Sequence, residues 1–593
     1  MPDSARQNRA NDRQHPRRIH LIAAGIFVLA LALRLLHLWA MRSSPFFDHL
    51  VVDSVDFDAR AVAILQGSWR EEGAFYQAPL YPLFLAAVYK IFGHSLLAAR
   101  LVQAVLGSLT AVLVYYAGRR LPGNGAGARV GVVAGVLAAT YAMAIHFDGE
   151  ILRPALVMFL AMLSLLLLLS ASSRGNADQS ASSKNRAGRW DAASVMIWAA
   201  AGLVLGLAAV ARPTLLLFIP LAAVWVYVRG GRNSVLPKSV ARNSAPRAAA
   251  ALAVLLCALI PVAVVTAVNY SRSRNFVPVS YNGGINFYLG NNADYEQTIG
   301  IRPGIRWDLL YREAGVDPVT HPADWSRYYY GKAARYIQSD PSGYAALLAK
   351  KLVLFWNGHE IERNMAFSHA AGLSPLMKYP LVSFRWIAPL ALVGLILAWR
   401  RRVGMGLPAL LLLSQMAAVV AYFVCARYRM VVVPLLIVFA SYAAVTLLGE
   451  MRRQCKKTIP YLALFMLALL FVNVDWYGIS GKSYARDDYE LALVVRRDGR
   501  TEEALRLLNS ERVHRPDDPD IPFQLGITLL RLGRNSEAAE AFESSAALEP
   551  NYALSWFNLG VAHTRTGDAP AAAAAYLRAL EVDPAYWEAA HAA

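Results

Sequence analysis

Three acidic residues, Asp53, Asp56 and Asp58 in VVDSVDFDARA, follow the first long apolar run of the sequence. A carboxylate at a membrane surface can take a proton from an acceptor hydroxyl, and Asp53 has the spacing and position for that general-base role. A hydrated loop is the competing account, and it suits Asp56 and Asp58 better. A second acidic turn, HFDGEILRP, carries Asp148, Glu150 and Arg153 between two apolar runs and could face the same cavity; an ordinary polar turn would look the same.

Arginines supply the complementary chemistry. Arg212 in ARPT, and Arg427 and Arg429 in ARYRM, lie in short loops on the side of the membrane where Lys and Arg are scarce. Guanidinium forks match phosphate oxygens and would stabilise a departing phosphate, whereas snorkelling to headgroups is the plainer alternative. Further on, Tyr281, Asn282, Asn286 and Asn291 sit in SYNGGINFYLGNN, which offers amides for sugar hydroxyls and aromatic faces for stacking. A turn-rich loop accounts for that composition equally simply.

The sequence contains no Walker loop, Rossmann fingerprint, HExxH or paired CxxC, so direct ATP use, a nicotinamide cofactor and zinc are not expected, and no cofactor or metal is assigned. Energy for a reaction outside the cell must then arrive with the substrate. Nucleotide sugars are cytoplasmic, but a polyprenyl-phosphate sugar presents its activated carbon on the outer side, held in the bilayer by its tail. That constraint favours a lipid-linked donor.

These residues need a membrane to hold them. Of 593 residues, 56% are hydrophobic and 17% charged, too apolar for an ordinary soluble domain. Runs near the roughly 20 residues that cross a bilayer recur from Ile19 to Met41, Leu96 to Tyr116, Val130 to Ile145, Pro154 to Ser170, Ala193 to Val210 and Thr214 to Val228. Others are Ala248 to Val268, Tyr379 to Trp399, Leu407 to Val424, Met430 to Leu448 and Ile459 to Val474, giving about eleven spans. Ala78 to Phe92 is apolar but too short, and reads as an interfacial helix. A cleaved signal peptide is the alternative for the first span, but no small-residue cleavage site follows it.

The net charge of +18 is distributed by orientation, which argues against nucleic acid as a partner. With the basic N-terminus cytoplasmic, five alternate loops (Arg119 to Arg129, Arg174 to Arg189, Arg229 to Arg247, Arg400 to Arg402, Arg452 to Lys457) carry 19 basic residues. The opposite short loops hold only Arg153, Arg212, Arg427 and Arg429. This predicts an inner-membrane protein of a bacterium, N-terminus inside and C-terminus on the periplasmic side. Outward regions are residues 42–95, 269–378 and the tail from about Asp475; none contains cysteine, so no disulfide is expected.

The tail repeats itself. Gly499, Gly533 and Gly567 are spaced by 34 residues, as are Ala504, Ala538 and Ala572, and Pro516, Pro550 and Pro584, the tetratricopeptide period. Leu525-Gly526 and Leu559-Gly560 give small residues where two helices approach, and Trp587 to Ala593 starts like a capping helix. About three repeats form a helical solenoid over 475–593, which by analogy offers an acceptor protein or glycan a binding surface.

In this order and topology, VVDSVDFDARAVAILQG, APLYPLFLAAVYKIFG, FDGEILRPAL, NGGINFYLGNN and ARYRMVVVP resemble the GT-C glycosyltransferases of the protein O-mannosyltransferase and lipid A aminoarabinose-transferase superfamily, over roughly Ile19 to Leu448. The resemblance implies an all-α membrane bundle of residues 19–474 that transfers a sugar with inversion, Asp53 acting as base. It puts the family's second acidic position on Glu150, with Asp148 as neighbour. Ser54 follows Asp53, and Phe57 stands where many members have Tyr, which argues against a metal shared by adjacent carboxylates. A membrane scaffold or transporter whose tail recruits partners for envelope glycan assembly is the competing class. Transporters, however, place ionisable residues or broken helices near mid-membrane and show internal repeats.

Overall fold

The computed structural model describes residues 16–71, 73–120, 126–181, 192–229, 245–364, 367–403, 406–452, 455–480 and 486–584. The basic tail before Pro16, much of the two basic loops 174–189 and 229–247, and the capping helix expected after Trp587 lie outside them. The described chain is all-α: a bundle of apolar helices, a cap of short helices over one end, and paired helices in the tail.

Each apolar run of the sequence forms helix, but the lengths are uneven. Five helices are long and apolar enough to cross a membrane: Arg17–Met41, Leu96–Arg120, Pro154–Ser172, Arg247–Ser273 and Val433–Met451. Shorter apolar helices include Gly127–Thr140, Val195–Ala211, Pro213–Val228, Gly406–Ala421 and Thr458–Asn473. The expected single span from Val130 to Ile145 is interrupted at Tyr141, which is extended (φ −70°, ψ 111°) between helices Gly127–Thr140 and Ala142–Gly149. The break is stabilised from outside, since the Ala142 N–H donates to the Val382 carbonyl at 3.1 Å. Small residues bring helices together: Gly202 and Gly206 of Ala192–Ala211 lie directly on the backbone at Val254 and Ala258, where a Cβ would not fit.

Leu80–Phe92 is an amphipathic helix of thirteen residues, yet its tyrosines do not sit at an interface. Tyr81 and Tyr89 are buried, donating to Gln103 and Asp58 at 2.6 Å each, and so fix the helix against its neighbours. The cap runs from the end of Ala245–Ser273 to the start of Phe384–Arg400 and contains Gly283–Gly290, Ile305–Arg312, Pro322–Ser339 and Pro341–Trp356. Its core is aromatic, with Tyr281, Trp325 and Tyr329 buried together.

Six helices from Asp487 to Val582 alternate as antiparallel pairs in the tail. Glycine reads the period physically: Gly499, Gly533 and Gly567 have φ of 82°, 73° and 84°, the left-handed turn after each first helix. A Cβ at Gly526 would come within 2.6 Å of the Phe542 ring, and one at Gly560 within 2.5 Å of Tyr576, so the second and third pairs close only on glycine, whereas the first has the buried Ala492 there.

Candidate active site

Asp53 opens the helix Asp53–Gln66, where its charge complements the helix N-terminus. The residue before it, Val52, has φ 52° and ψ −126°, a conformation that costs a β-branched residue on the order of 1–3 kcal/mol. Beyond it, Asp53 lines a polar cavity of about 210 Å³ together with Asp56, Tyr76, Gln77, Arg302, Trp307 and Arg363. A second cavity of about 900 Å³ adjoins it and is largely apolar, with Val157, Leu216, Leu217, Phe276, Val419 and Met430 among its walls. Arg153, Asn282, Asn286, Arg427 and Tyr428 line both, so the two spaces meet at these residues.

Arg427 donates to the Asp53 carboxylate across this junction. Burial opposes ionisation of Asp53, but the Arg427 guanidinium, aided by Arg153 and Arg363, outweighs it and holds the carboxyl well below the usual range. The Nε of Arg427 has no partner among the described residues. Neither Arg153 nor Arg363 has a hydrogen-bonding partner among them; they rest on the rings of Phe57 and Phe423 at 5.2 and 4.3 Å. Arg302 is buried as well, and desolvation with repulsion from Arg363, Arg486 and Arg427 weakens its hold on a proton. Asp56 is occupied by Arg60 at 2.9 Å. The polar cavity thus gathers four guanidinium groups, Arg153, Arg302, Arg363 and Arg427, against two carboxylates that are each already paired with an arginine, which is an arrangement for an anion.

Tyr428 orders the cations: Arg212 lies over its ring at 4.7 Å and Arg427 at 5.3 Å. Arg212 also donates to Thr214 and to the Tyr428 carbonyl, both at 3.2 Å, and so faces the larger cavity. The amides of Asn282 and Asn286 stand at the junction, with Tyr281 on the larger cavity and packed edge-on against Tyr76 at 5.3 Å.

Three expected residues are elsewhere. Asn291 is fully buried, donating to the Phe287 and Ala421 carbonyls at 2.7 and 2.8 Å and accepting from Lys351 at 2.7 Å, so it ties the cap to the bundle instead of meeting a sugar. Arg429 is buried and donates to the carbonyls of Phe355, Asn357 and His359 and to Glu360 at 2.6–3.1 Å; it anchors a loop and is closed to a phosphate. Asp148 pairs with Arg34 at 2.7 Å inside the bundle and does not reach the cavities. Glu150 borders a small void of about 20 Å³ that shares Arg363, Asn364 and Arg427 with the polar cavity. Burial raises its pKa, Arg100 opposing and Asp487 reinforcing the rise. Among the described residues no group of three or more His, Cys, Asp or Glu is arranged to hold a metal.

Arg153 carries the same scarce-side signal as Arg212, whereas Arg302 and Arg363 lie in a long loop where that signal is silent. Tyr76, Trp307 and Tyr428 have no signal in one sequence beyond being aromatic.

A family model for dolichyl-phosphate-mannose-protein mannosyltransferase matches residues 76–181, which include Glu150 and Arg153 but not Asp53, and one for the tetratricopeptide repeat matches residues 523–590. No curated protein matches. A similar solved structure is the Archaeoglobus fulgidus oligosaccharyltransferase tethered by a disulfide to an acceptor peptide containing the NVT sequon, at 14% identity and a TM-score of 0.39, covering 77% of this chain and 54% of that one. The chain therefore spans about half the length of that solved structure. The chain thus joins a helical bundle, with five helices long and apolar enough to cross a membrane and a match to the mannosyltransferase model over residues 76–181, to a tail that matches the tetratricopeptide-repeat model.

Proposed function

We propose that this protein transfers a sugar, with inversion, from a polyprenyl-phosphate donor to an acceptor hydroxyl at the outer face of a bacterial cytoplasmic membrane. The convergence of Asp53 with Arg427 and the unpartnered Arg153 and Arg363, where a polar and an apolar cavity meet, carries this reading. The apolar cavity suits the first isoprene units, the arginines the phosphate, and the polar cavity the sugar and acceptor. The N-terminus is then cytoplasmic and the tail periplasmic, beside an acceptor protein or glycan.

Asp53 takes the proton of the acceptor hydroxyl as its oxygen bonds to the anomeric carbon. The bond from that carbon to the phosphate oxygen breaks, and polyprenyl phosphate leaves with the electron pair. Arg427, Arg153, Arg363 and Arg212 receive the developing charge. In the resting site Arg427 makes Asp53 a weak base; a bound phosphate draws off part of that guanidinium and restores basicity where it is needed. Glu150, kept less acidic by burial, borders the small void that Arg363 and Arg427 also line. Asn282, Asn286 and Tyr281 bind sugar hydroxyls and a sugar face.

The reading is tested by supplying membranes containing the protein with radiolabelled sugars on polyprenyl phosphate. Transfer that free polyprenyl phosphate inhibits competitively supports it. Absence of transfer from every donor and acceptor in a broad panel would favour the scaffold or transporter class.

A further inference from the structure

The tail grips both walls of the polar cavity. On the Asp53 side, Phe46 and Val494 are buried against each other with Val51 and Leu491 packed around them, and His49 meets Asp498 at 3.5 Å. Val51 is two residues before Asp53.

On the facing wall the hold is tighter. Arg486 and Asp520, 34 residues apart and therefore at the same place in successive repeats, are both buried and pair at 2.7 Å. Arg486 donates to the Pro303 carbonyl at 3.0 Å, and Asp520 accepts from the Ile305 N–H at 2.7 Å. Gly304 between them has φ 148°, and a Cβ there would strike the Asp520 carboxylate. Ile305 is buried in the core of the repeats, and Tyr552 of the third repeat donates to Asp308 at 3.3 Å. The gripped stretch is the one that puts Arg302 and Trp307 into the cavity.

We propose that the tetratricopeptide tail is a clamp that sets the width of the acceptor pocket, with Arg486 and Asp520 as positioning residues acting through Arg302 and Trp307. The array therefore serves catalysis from within its own chain, along the edge formed by the loops between repeats. This proposal rests on the transferase reading for its kinetic consequence, but the grip itself is measurable without turnover.

The test uses the full-length protein in detergent or nanodiscs, with Asp520→Ala and, should that variant fold poorly, Gly304→Ala, which leaves the repeats intact and pushes the cap off them. Hydrogen exchange followed by mass spectrometry should quicken at Ile305–Arg312 and near Val51–Asp56 while the bundle helices are unchanged. In the transfer assay, kcat/KM for the acceptor should fall by about tenfold or more, with the donor KM unchanged. Unchanged exchange at both walls would overturn the clamp whether or not transfer is observed. Faster exchange with unaltered acceptor kinetics would also overturn it, reducing the contact to packing. Faster exchange in the variants, with a wild type that transfers nothing, would leave the grip standing and sink the transferase reading alone.

Discussion

Arg427 reaches across 374 residues of sequence to donate to the Asp53 carboxylate, joining the first loop after the N-terminal helix to the turn before Val433–Met451. The pair lies where the two cavities meet, and its two partners carry opposite halves of the proposed chemistry.

The pH dependence of Asp53 follows from that pair. Its folded-state pKa is depressed, so the stability it contributes is present above about pH 4, the ordinary aspartate range, and is lost as pH falls below it. In Arg427→Gln burial remains while the main opposing charge is gone, and the carboxyl titrates at higher pH than in the wild type. The acid limb of kcat/KM should therefore move to higher pH in the variant; superimposable profiles would contradict this.

Arginines that look alike in sequence should separate by assay. Arg153→Gln and Arg363→Gln each remove an unpartnered guanidinium from the cavities, and each should raise the donor KM roughly tenfold, in line with roughly 1.5–3 kcal/mol for a charged hydrogen bond. Arg429→Gln leaves three buried carbonyls and Glu360 without their donor. It should lower stability by about 3 kcal/mol or more, read as a lower Tm, with the donor KM of the surviving protein unchanged.

Asp148 and Glu150 should differ in the same way. Asp148→Asn breaks a pair whose side chains are 0% and 2% exposed, at a cost of about 3–5 kcal/mol, and should reduce folded yield without altering the pH profile. Glu150→Gln should fold and lose about tenfold in kcat, less than a variant of the base itself.

Val52 tests stored strain. Val52→Gly accepts the positive φ freely, so thermal stability should change by no more than about 1 kcal/mol despite the lost side chain, because relief of strain offsets it. The looser backbone should lower kcat by about tenfold. Full activity in this variant would mean that the strain does not aim Asp53.

The bundle and the repeats were legible in the sequence because apolar length and a 34-residue glycine period are local properties of the chain. The break at Tyr141 was not, since a contact from Val382 creates it. Within the site, Asp53, Arg212, Arg427, Asn282 and Asn286 could be picked out by type and topology, but not which of them meet. A scarce-side arginine does not signal which partner it has found, and Arg153 rests only on the Phe57 ring. Arg427 found a carboxylate and Arg429 a ring of carbonyls, and both lie in ARYRM. Asn291 shares its segment with Asn286, yet one helical turn and the amine of Lys351 turn it inward.

If Asp53 is the base of a sugar transfer from a lipid-linked donor, its amide should spare binding and remove turnover. Wild-type and Asp53→Asn protein, at matched levels in membranes, should be compared for transfer from radiolabelled polyprenyl-phosphate sugars. Robust transfer is expected from the wild type, and a loss on the order of a hundredfold in kcat, with donor binding retained, from the variant. Transfer undiminished by the substitution would contradict it.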